Sequence, residues 1–421
     1  MILKHHYSLI MQTTIDMTST TQYYTDLEDQ YGAHNYHPLP VVLKKGKGVH
    51  VWDVDGKQYY DFLSGYSALN QGHCHPKLVE AIIEQAQQLT LTSRAFQSDQ
   101  LGEYAKYITE YFGYDKVLPM NTGAEAVETA IKLCRKWAYE VKGIEENKAV
   151  IIVCDGNFHG RTTTIISFSS DPAAKKNFGA FTPGFVSIPY NDTNALAEAL
   201  ADKNVAGFLV EPIQGEAGVL VPDEGYLAKA KQLCEEANVL FIGDEIQSGL
   251  ARTGKMLACD HENVRPDILI LGKALSGGML PVSAVLADDE IMLTIKPGEH
   301  GSTYGGNPLA CKIATVSLQI LKDENLAENA ATLGEVLRTE LAALQSKHIS
   351  LIRGKGLLNA IIIKHSNPNA AWDLCMQMKE NGLLAKPTHG DKIRFAPPLV
   401  ITKKQIVECV EIIGESLSVL D

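Results

Sequence analysis

Two apolar segments of the chain each end in a charged residue of opposite sign. The run 239–243 finishes at Asp244, and the run 268–272 finishes at Lys273. Short aliphatic and β-branched runs bounded by glycine are typical of buried parallel strands, whose carboxyl ends line the ligand crevice of an open α/β sheet. We therefore expect Asp244 and Lys273 to face one cavity.

A lysine at that depth can act as a nucleophile. Loss of hydration lowers the pKa of a buried amine and leaves part of it neutral and able to form a Schiff base with a carbonyl group. A nearby carboxylate can pair with the protonated ring nitrogen of pyridoxal phosphate, whose sites combine a lysine with such an acid. The two residues alone fit a structural ion pair equally well, so the other motifs must decide.

The bulk composition favours a small-molecule ligand. The 421 residues are 45% hydrophobic, which is enough for a large core divided over two or three domains. The net charge of -12, with no compensating basic stripe, argues against a nucleic-acid or membrane-surface partner. The sequence has no apolar run near the ~18 residues that a membrane-spanning helix needs.

Cysteine usage is typical of a reducing compartment. The eight cysteines include no Cys-x-x-Cys pair, so we expect reduced, mostly buried thiols in a cytoplasmic protein. Residues 73–75 read His-Cys-His, which is compatible with a metal site, but the flanking Gly72 and Pro76 favour a tight turn. Residues 1–22 contain one lysine and no arginine, which supports a transit peptide only weakly and predicts a flexible lead.

Strand-helix-strand units repeat through the middle of the chain. Residues 150–154 and 205–210 are further apolar runs of strand type, and a helix at about 225–237 returns the chain to the strand before Asp244. This alternation predicts a large, doubly wound, mostly parallel sheet of the α/β class.

Two glycine-containing loops that lead into helices are candidates for anion binding. Residues 121–126 open a helix that runs to about 141, and residues 301–308 precede another at about 309–321. The first turn of a helix offers free N–H groups and the positive end of its dipole to a phosphate. Each loop is equally compatible with a simple helix cap or turn.

Several side chains at predicted strand ends can bind ligands. Phe158 offers a flat face for stacking and Arg161 a fork for a carboxylate, although a core phenylalanine and a surface arginine are the simpler readings. The carboxylates of Glu211 and Glu216 follow the strand 205–210. Arg394 lies among apolar neighbours, so it is either paired internally or binds an anionic ligand.

The two ends of the chain are expected to form a second, smaller α+β domain. An Asp-Gly turn within residues 49–62 predicts a β-hairpin, and Thr402 with Gln405 makes a capping box for the last helix. The predicted organisation is a lead at 1–22, an N-terminal part of the small domain at 23–70, a large cofactor domain at 71–320 and a C-terminal part of the small domain at 321–421.

Six motifs follow one another along the chain: Asn121–Ala126, Phe158–Arg161, Glu211–Glu216, Asp244–Gln247, Gly272–Leu275 and Gly301–Pro308. In this order they resemble the class III pyridoxal-phosphate-dependent aminotransferases of fold type I, over about residues 25–420. Three further stretches resemble the branch of that family that uses ornithine: His34–Pro40, Tyr66–Pro76 and Gly249–Gly254. One departure is Ala124, where some members carry a bulkier aliphatic residue.

The resemblance implies a complete set of contacts to pyridoxal 5'-phosphate. It implies that Lys273 is the Schiff-base lysine and proton shuttle, and that Asp244 pairs with the pyridinium nitrogen. The other implied contacts are a hydrogen bond from Gln247 to the ring hydroxyl, stacking by Phe158, and phosphate binding by Gly123, Ala124, Ser302 and Thr303. Since the last two would come from the neighbouring subunit, the resemblance implies a homodimer with shared sites.

The resemblance also implies the substrates. The δ-amino group of L-ornithine would pass to 2-oxoglutarate, giving glutamate and glutamate-5-semialdehyde, which cyclises to pyrroline-5-carboxylate. Arg161 and Tyr36 would hold the α-carboxylate and α-amine of ornithine, and Arg394 would bind a carboxylate of 2-oxoglutarate. Glu216 would pair with Arg394 in the first half-reaction and release it in the second. Tyr66 and Glu211 complete the implied substrate residues.

Three alternative functions are considered for the same residues. Acetylornithine and 4-aminobutyrate are substrates of other ω-amine aminotransferases, although Tyr36 and Tyr66 favour a free α-amine. A nicotinamide-dependent dehydrogenase would need a Gly-x-Gly-x-x-Gly turn after the first strand, and the sequence has none. A non-catalytic protein that has kept the fold is disfavoured by the joint presence of Lys273 and Asp244.

Overall fold

A computed structural model describes residues 21–421 of the chain. The strands are β1 (Leu43–Lys47), β2 (His50–Asp53), β3 (Gln58–Asp61), β4 (Lys116–Met120), β5 (Val150–Cys154), β6 (Phe185–Ile188), β7 (Val205–Val210), β8 (Leu240–Asp244), β9 (Ile268–Leu271), β10 (Ser283–Ala287), β11 (Ile349–Lys355), β12 (Leu358–Ile363), β13 (Leu383–Leu384), β14 (Lys386–Thr388) and β15 (Lys392–Phe395). They form three sheets, one of seven strands and two of four.

Helices cover the sheets and connect their strands. They are α1 (Thr21–Tyr31), α2 (Pro76–Ala86), α3 (Asp99–Phe112), α4 (Gly123–Trp137), α5 (Thr163–Ser167), α6 (Pro172–Lys175), α7 (Thr193–Ala199), α8 (Tyr226–Glu236), α9 (Asp289–Met292), α10 (Pro308–Asp323), α11 (Leu326–Ala343), α12 (Ala370–Glu380) and α13 (Lys403–Ser416). A π-helical turn, Ala138–Lys142, extends α4, so the helix predicted to end near 141 does so in two parts.

The central sheet is doubly wound, as predicted. Its strand order is β4-β10-β9-β8-β7-β5-β6, and the run from β9 to β6 is parallel throughout. Alternate residues of β5 face opposite sides: Ile151 and Val153 pack in the cluster that contains α4, whereas Ile152 packs in the cluster that contains α8. Both faces are therefore covered, which explains why β7, β8 and β9 consist of buried residues only.

One strand of this sheet runs against the others. Strand β10 pairs antiparallel with both β4 and β9. The sequence analysis predicts neither β4 nor β10. Strand β10 reads Ser-Ala-Val-Leu-Ala and is entirely buried, and β4 contains Pro119, so neither has the alternation or the long aliphatic run by which strands are recognised.

The two smaller sheets bring the chain ends together. The predicted hairpin is present as β2 and β3, and β13 joins it in parallel through the pairs Leu383 with Tyr60 and Leu384 with Asp61. The other sheet has the order β11-β12-β15-β14 and carries Arg394 on β15. The predicted capping box of Thr402 begins α13.

The remaining sequence predictions concern loops and thiols. The expected flexible lead falls largely on residues 1–20, which lie outside the described part of the chain, but residues 21 and 22 begin α1 instead. Seven cysteines are buried thiols and Cys74 is exposed. Its neighbours His73 and His75 hydrogen-bond the carboxylates of Asp61 and Glu324. Within residues 21–421, no helix is both long and apolar enough to cross a membrane.

Candidate active site

Asp244 and Lys273 line the same cavity. It has a volume of about 260 Å³ and lies at the carboxyl ends of the central strands, where β8 ends at Asp244 and β9 ends two residues before Lys273. A second cavity of about 710 Å³ shares Phe158, Glu216 and Lys273 with the first. The two cavities are therefore adjacent, and we call the first the inner cavity and the second the outer cavity.

Lys273 occupies the junction between the two cavities. Its φ of 43° lies in the left-handed region, which is unfavourable for a residue with a Cβ. The carbonyl of the next residue, Ala274, accepts hydrogen bonds from Gln71 Nε2 at 3.1 Å and Ser317 Oγ at 2.9 Å, which fixes this turn. Burial lowers the pKa of the Lys273 amine, against the opposing influence of nearby carboxylates such as Glu216. The neutral, nucleophilic form is favoured accordingly.

A buried histidine, His159, contacts the carboxylate of Asp244. His159 Nδ1 lies 2.6 Å from Asp244 Oδ2, and the imidazole side chain is fully buried. Burial by itself lowers the pKa of His159, but the hydrogen bond to Asp244 and the carboxylate charge outweigh it, so the pKa is raised. The backbone N–H of Ile246 donates to the other oxygen of Asp244 at 3.1 Å. The carboxylate is thus held in one orientation.

The amino end of α4 forms one wall of the inner cavity. Thr122 and Glu125 make a reciprocal capping box, which leaves the N–H groups of Gly123 and Ala124 in the first turn. Both residues line the cavity. A Cβ on Gly123 would come within 3.1 Å of the Ile246 side chain, so glycine allows the helix end to approach the strand ends closely.

Glu211 lines the inner cavity and is not among the residues that line the outer cavity. Its Oε1 accepts the backbone N–H of Phe158 at 2.8 Å, and its carboxyl is buried. Burial raises the pKa of Glu211 to about 7, with His159 acting in the opposite direction and Asp244 adding to the rise. This carboxylate therefore holds the backbone of Phe158 in place, and the substrate contact that the family resemblance implies for Glu211 stays a prediction.

Glu216 and Arg394 form a buried ion pair between two sheets. Arg394 Nη1 lies 2.6 Å from Glu216 Oε1, and the guanidinium side chain is 2% exposed. Gln247 bridges the pair, donating to Glu216 at 3.1 Å and accepting from Arg394 at 3.3 Å. Burial raises the pKa of Glu216, but the charge and the hydrogen bond of Arg394 outweigh this effect and hold the pKa below its ordinary value. A Cβ on Gly215 would overlap the Gln247 amide, so this arrangement requires glycine there.

Aromatic and basic side chains border the outer cavity. Tyr66 and Tyr36 line it, and the Tyr66 ring lies under Arg394 with 5.2 Å between the ring centroid and the guanidinium carbon. Burial raises the pKa of the Tyr66 hydroxyl. Arg161 also lines the cavity, where its exposed guanidinium lies 3.5 Å from Asp171 and 5.4 Å from the Phe158 ring centroid.

Ser302 and Thr303 are not among the residues that line these cavities. Ser302 Oγ accepts a hydrogen bond from Asn121 Nδ2 at 2.9 Å within the same chain, and Thr303 is exposed. Their loop therefore lies close to the amino end of α4 but does not line the inner cavity.

The inner cavity fits pyridoxal phosphate. It brings together the three features that this group requires: a helix N-terminus for the phosphate, a buried acid for the ring nitrogen and a lysine of lowered pKa for the aldehyde. Phe158 and Ile246 add apolar walls for a flat ring.

Sequence reasoning missed three contributors to this site. The motif Phe158–Arg161 contains His159, to which the sequence analysis assigns no role, although a histidine shortly after a predicted strand indicates a functional residue. Ile246 follows Asp244 by two positions, and nothing in its residue type distinguishes a cavity wall from an ordinary core residue. Gln71 reaches Ala274 across 203 positions of sequence, and no local pattern reveals such a contact.

Comparison with known proteins gives a consistent family. The model of a family described as aminotransferase class-III matches residues 31–417. The mitochondrial ornithine aminotransferase of Rattus norvegicus is 62% identical over 398 residues, covering 94% of this chain and 91% of the rat protein.

Two solved structures are similar along almost the whole chain. An ornithine aminotransferase from Toxoplasma gondii, described with partial occupancy of PLP at its active site, has a TM-score of 0.95 at 50% identity and covers 98% of this chain and 97% of its own. An acetylornithine aminotransferase from Elizabethkingia anophelis has a TM-score of 0.88 at 58% identity and covers 95% and 99%.

Proposed function

The chain belongs to the aminotransferase class-III family, and from this premise we propose that it transfers the δ-amino group of L-ornithine to 2-oxoglutarate. The products are glutamate and glutamate-5-semialdehyde, which cyclises to pyrroline-5-carboxylate. The observation that carries the proposal is the ion pair of Glu216 and Arg394 beside Lys273, because it provides a carboxylate site that can be closed for one substrate and opened for the other.

The enzyme is a transaminase that depends on pyridoxal 5'-phosphate. When bound, this cofactor supplies an electrophilic aldehyde and a protonated ring that withdraws electrons from the reacting carbon. We assign the phosphate to Gly123 and Ala124, and the ring nitrogen to Asp244. We assign Phe158 to the face of the ring and Gln247 to the ring hydroxyl, for which Gln247 would have to turn from the ion pair that it bridges.

Lys273 moves protons at the substrate. Its lowered pKa favours the neutral amine, so Nζ can take a proton from the δ-carbon of ornithine as a general base and pass it to a carbon of the bound cofactor as a general acid. In the second half-reaction Nζ would carry a proton in the opposite direction, from the cofactor carbon to carbon 2 of the oxo acid. The fixed backbone turn at Lys273 keeps the same nitrogen at the same place in both steps.

Asp244 holds a negative charge at the inner end of the cavity. His159 Nδ1 lies within hydrogen-bond distance of it, and the raised pKa of the imidazole favours the protonated form that pairs with the carboxylate. A fixed anion at this position favours the protonated form of any ring nitrogen it meets. Glu211 acts indirectly, because it binds the backbone of Phe158 and thereby fixes the stacking face.

The outer cavity recognises the substrates. We assign the α-carboxylate of ornithine to Arg161 and its α-amine to Tyr36, which leaves the δ-amine to extend toward Lys273. With Glu216 paired to Arg394, the methylenes of ornithine meet no free cation. Release of Glu216 exposes the guanidinium, which then binds the carboxylate next to the reacting carbon of 2-oxoglutarate.

A comparison of amino donors tests the substrate assignment. L-ornithine, N-acetylornithine and 4-aminobutyrate are each supplied with 2-oxoglutarate, and glutamate formation is measured. Ornithine should give the highest kcat/KM, with pyrroline-5-carboxylate as its product. The relative named as an acetylornithine aminotransferase makes that donor the main alternative. A higher kcat/KM with N-acetylornithine than with ornithine would refute the assignment.

We further propose that the enzyme is a homodimer whose sites are shared. Large aromatic side chains are exposed to an unusual degree: Tyr31 77%, Tyr36 72%, Phe96 75%, Phe178 62% and Tyr304 58%. Tyr304 adjoins Ser302 and Thr303, which we assign to the phosphate of the neighbouring subunit's cofactor. Burying these rings against a second copy removes apolar surface from water.

Subunit mixing tests the shared site. A Lys273→Ala subunit is co-expressed with one that carries Ser302→Ala and Thr303→Ala, under separate affinity tags. If the loop serves the partner, each hybrid dimer has one intact site and one with both defects, and about half of the wild-type activity returns. If the loop serves its own chain, every hybrid site is defective and activity stays at the level of the variants.

Three broader assignments complete the proposal. We place the enzyme in the cytoplasm, on the strength of its free thiols, although the rat relative is named mitochondrial. Its reaction connects arginine metabolism to proline biosynthesis. We divide the chain into a large domain at 71–320 and a small domain from 23–70 and 321–421, supported by the β3–β13 pairing. Fractionation of the source cells tests the compartment.

A further inference from the structure

The segment that carries Tyr66 has an unusual backbone. Four consecutive residues, from Ser64 to Ser67, have φ values of 49°, 56°, 61° and 70°. Only Gly65 among them adopts this left-handed region without steric cost. Strained backbone of this kind persists where the surrounding structure over-determines it, and it is concentrated at functional sites. We call residues 64–67 the left-handed turn.

A buried carboxylate holds the start of this turn. Asp61 Oδ1 accepts the backbone N–H groups of Leu63 at 2.9 Å and Ser64 at 2.8 Å. Its other oxygen lies 2.7 Å from His73 Nε2, and Asp61 is 8% exposed. His73 is itself fixed by two backbone hydrogen bonds with Gly48, at 2.8 and 2.9 Å.

The same segment is tied to the chain that follows Arg394. The carbonyl of Phe62 accepts the N–H of Ala396, and the carbonyl of Asn70 accepts the N–H of Leu399, both at 2.8 Å. These bonds bracket the left-handed turn. Tyr66 projects from the turn to the face of Arg394 and to the outer cavity.

We propose that Asp61 and His73 are positioning residues for substrate selection, because they clamp the left-handed turn and so hold the Tyr66 ring against Arg394. Neither Asp61 nor His73 lines the inner or the outer cavity. Their effect passes through Tyr66, whose ring limits the space and the directions available to Arg394 when Glu216 releases it. The proposal rests on the ornithine and 2-oxoglutarate activity proposed above.

The chain offers a matched control for the clamp. Asp53 accepts the backbone N–H groups of Asp55 at 3.0 Å and Lys57 at 2.8 Å, and its second oxygen accepts the Tyr59 hydroxyl at 2.7 Å. It is 8% exposed, like Asp61. It therefore has the same chemistry and burial as Asp61, in a turn that does not carry a cavity residue.

The first experiment measures selectivity in the holoenzyme. Asp61→Ala should raise the KM for ornithine, leave kcat within about twofold, and lower the ratio of kcat/KM for ornithine to that for glutamate about tenfold, the change expected from misplacing one aromatic contact. Asp61→Asn keeps an accepting oxygen and should show a smaller change. Asp53→Ala should leave the ratio at the wild-type value. An unchanged ratio in Asp61→Ala overturns the proposal.

The second experiment asks whether Asp61 acts through Tyr66. In a Tyr66→Ala background, Asp61→Ala should alter the ratio no further, because residues that act through one contact are not additive. Additive effects of the two substitutions would show that Asp61 acts by another route and would overturn the proposal.

The third experiment relieves the strain directly. Ser67 Oγ is buried without a hydrogen-bond partner among the described residues, so its removal costs no bond. Ser67→Gly in the Asp61→Ala protein should restore most of the lost selectivity, because glycine adopts a φ of 70° freely. Ser67→Ala, which keeps the Cβ, should restore none. Equal behaviour of the two variants contradicts the clamp.

A structural readout separates this proposal from the proposed function. Backbone amides of residues 62–69 should exchange hydrogen at least tenfold faster in Asp61→Ala than in wild type, with and without cofactor, and at the wild-type rate in Asp53→Ala. Absence of any ornithine transamination by the wild-type protein would refute the function and leave this exchange result standing. Normal wild-type activity with unchanged exchange in Asp61→Ala would refute the clamp alone.

Discussion

The inner and outer cavities each contain a buried ion pair with the same 2.6 Å separation, yet the two pairs are built differently. Asp244 is the last residue of β8 and His159 lies in the loop that follows β5, so both belong to the carboxyl edge of the one central sheet. Glu216 follows the central sheet, whereas Arg394 lies on β15 of a separate sheet. A pair within one sheet suits a permanent charge, and a pair between two sheets suits a contact that opens.

The surroundings of the two pairs agree with that difference. Gln247 bonds both members of the outer pair and can follow either when they separate. No side chain within residues 21–421 bridges the inner pair in this way, and Asp244 also accepts the backbone N–H of Ile246. Substitutions in the inner pair should therefore change the rate for all substrates alike, and substitutions in the outer pair should change the preference between substrates.

Lys273 faces both cavities and should give the largest effect. Lys273→Ala removes the only group that we assign to proton transfer, so turnover with either donor should fall by about 10⁴-fold or more, equivalent to ~5 kcal/mol. Rapid-mixing kinetics of each half-reaction measure the loss.

Lys142 provides the control for that substitution. It is another lysine whose pKa burial lowers, and it donates to the carbonyl of Val205 far from the cavities. Lys142→Ala should retain turnover within a few fold. Substantial activity in Lys273→Ala would refute the assignment of proton transfer to Lys273, on which the comparison of the inner and outer cavities depends.

Asp244→Asn tests the inner pair. Loss of the fixed charge should lower kcat by about 10³-fold with ornithine and with glutamate alike, the scale on which a preorganised electrostatic group contributes. Steady-state kinetics with both donors give the two values. Glu245→Gln is the matched control, because Glu245 is the adjacent buried carboxylate but bonds Ser248 and Cys259 instead. A change in donor preference by Asp244→Asn would contradict the division of roles.

Glu211 adds a pH dependence to the inner end. Its pKa of about 7 exceeds the ordinary 4.5, so the folded protein binds the proton more tightly than the unfolded chain does. The corresponding stability is fully present below pH 4.5 and is lost as pH rises to about 7, a loss of about 3 kcal/mol at 1.36 kcal/mol per unit.

Glu211→Gln should abolish this loss, because glutamine stays neutral and keeps an oxygen for the Phe158 N–H. Urea unfolding of the cofactor-free protein at pH 5 and pH 8 measures it: the variant should gain stability relative to wild type only at the higher pH. An equal difference at both pH values would show that Glu211 is ionised throughout.

The two ends also differ in how much of them the sequence predicts. The strands before Asp244 and Lys273 are recognisable because long aliphatic runs end in a charge, and helix α4 is recognisable by its cap and period. The pairing of Glu216 with Arg394 joins residues 178 positions apart, and only the packing of two sheets creates it. The family resemblance predicts that pair, whereas the local sequence pattern shows only that Arg394 has apolar neighbours.

The features that the sequence does not reveal share a physical origin. Glu211 and Glu216 both follow β7, but only the structure shows that Glu211 accepts the backbone N–H of Phe158 whereas Glu216 pairs with Arg394. Strand β10 has no alternation to mark it because it is buried on both faces, and β4 is difficult to recognise because it contains Pro119. Backbone strain, as at Tyr66 and Lys273, depends on tertiary contacts and leaves no signature in residue order.

Glu216→Gln tests the outer pair and should give the smallest of these effects. Loss of the carboxylate leaves Arg394 as an unpaired cation, which attracts the α-carboxylate of glutamate and penalises the methylenes of ornithine. The ratio of kcat/KM for ornithine to that for glutamate should fall about 30-fold, equivalent to ~2 kcal/mol, with kcat for glutamate nearly unchanged. Glu335→Gln, which breaks an exposed pair with Arg338, should leave the ratio unaltered. If Glu216→Gln instead slowed both donors equally, the outer pair would be as permanent as the inner one, and the two ends of the cavity would not differ in role.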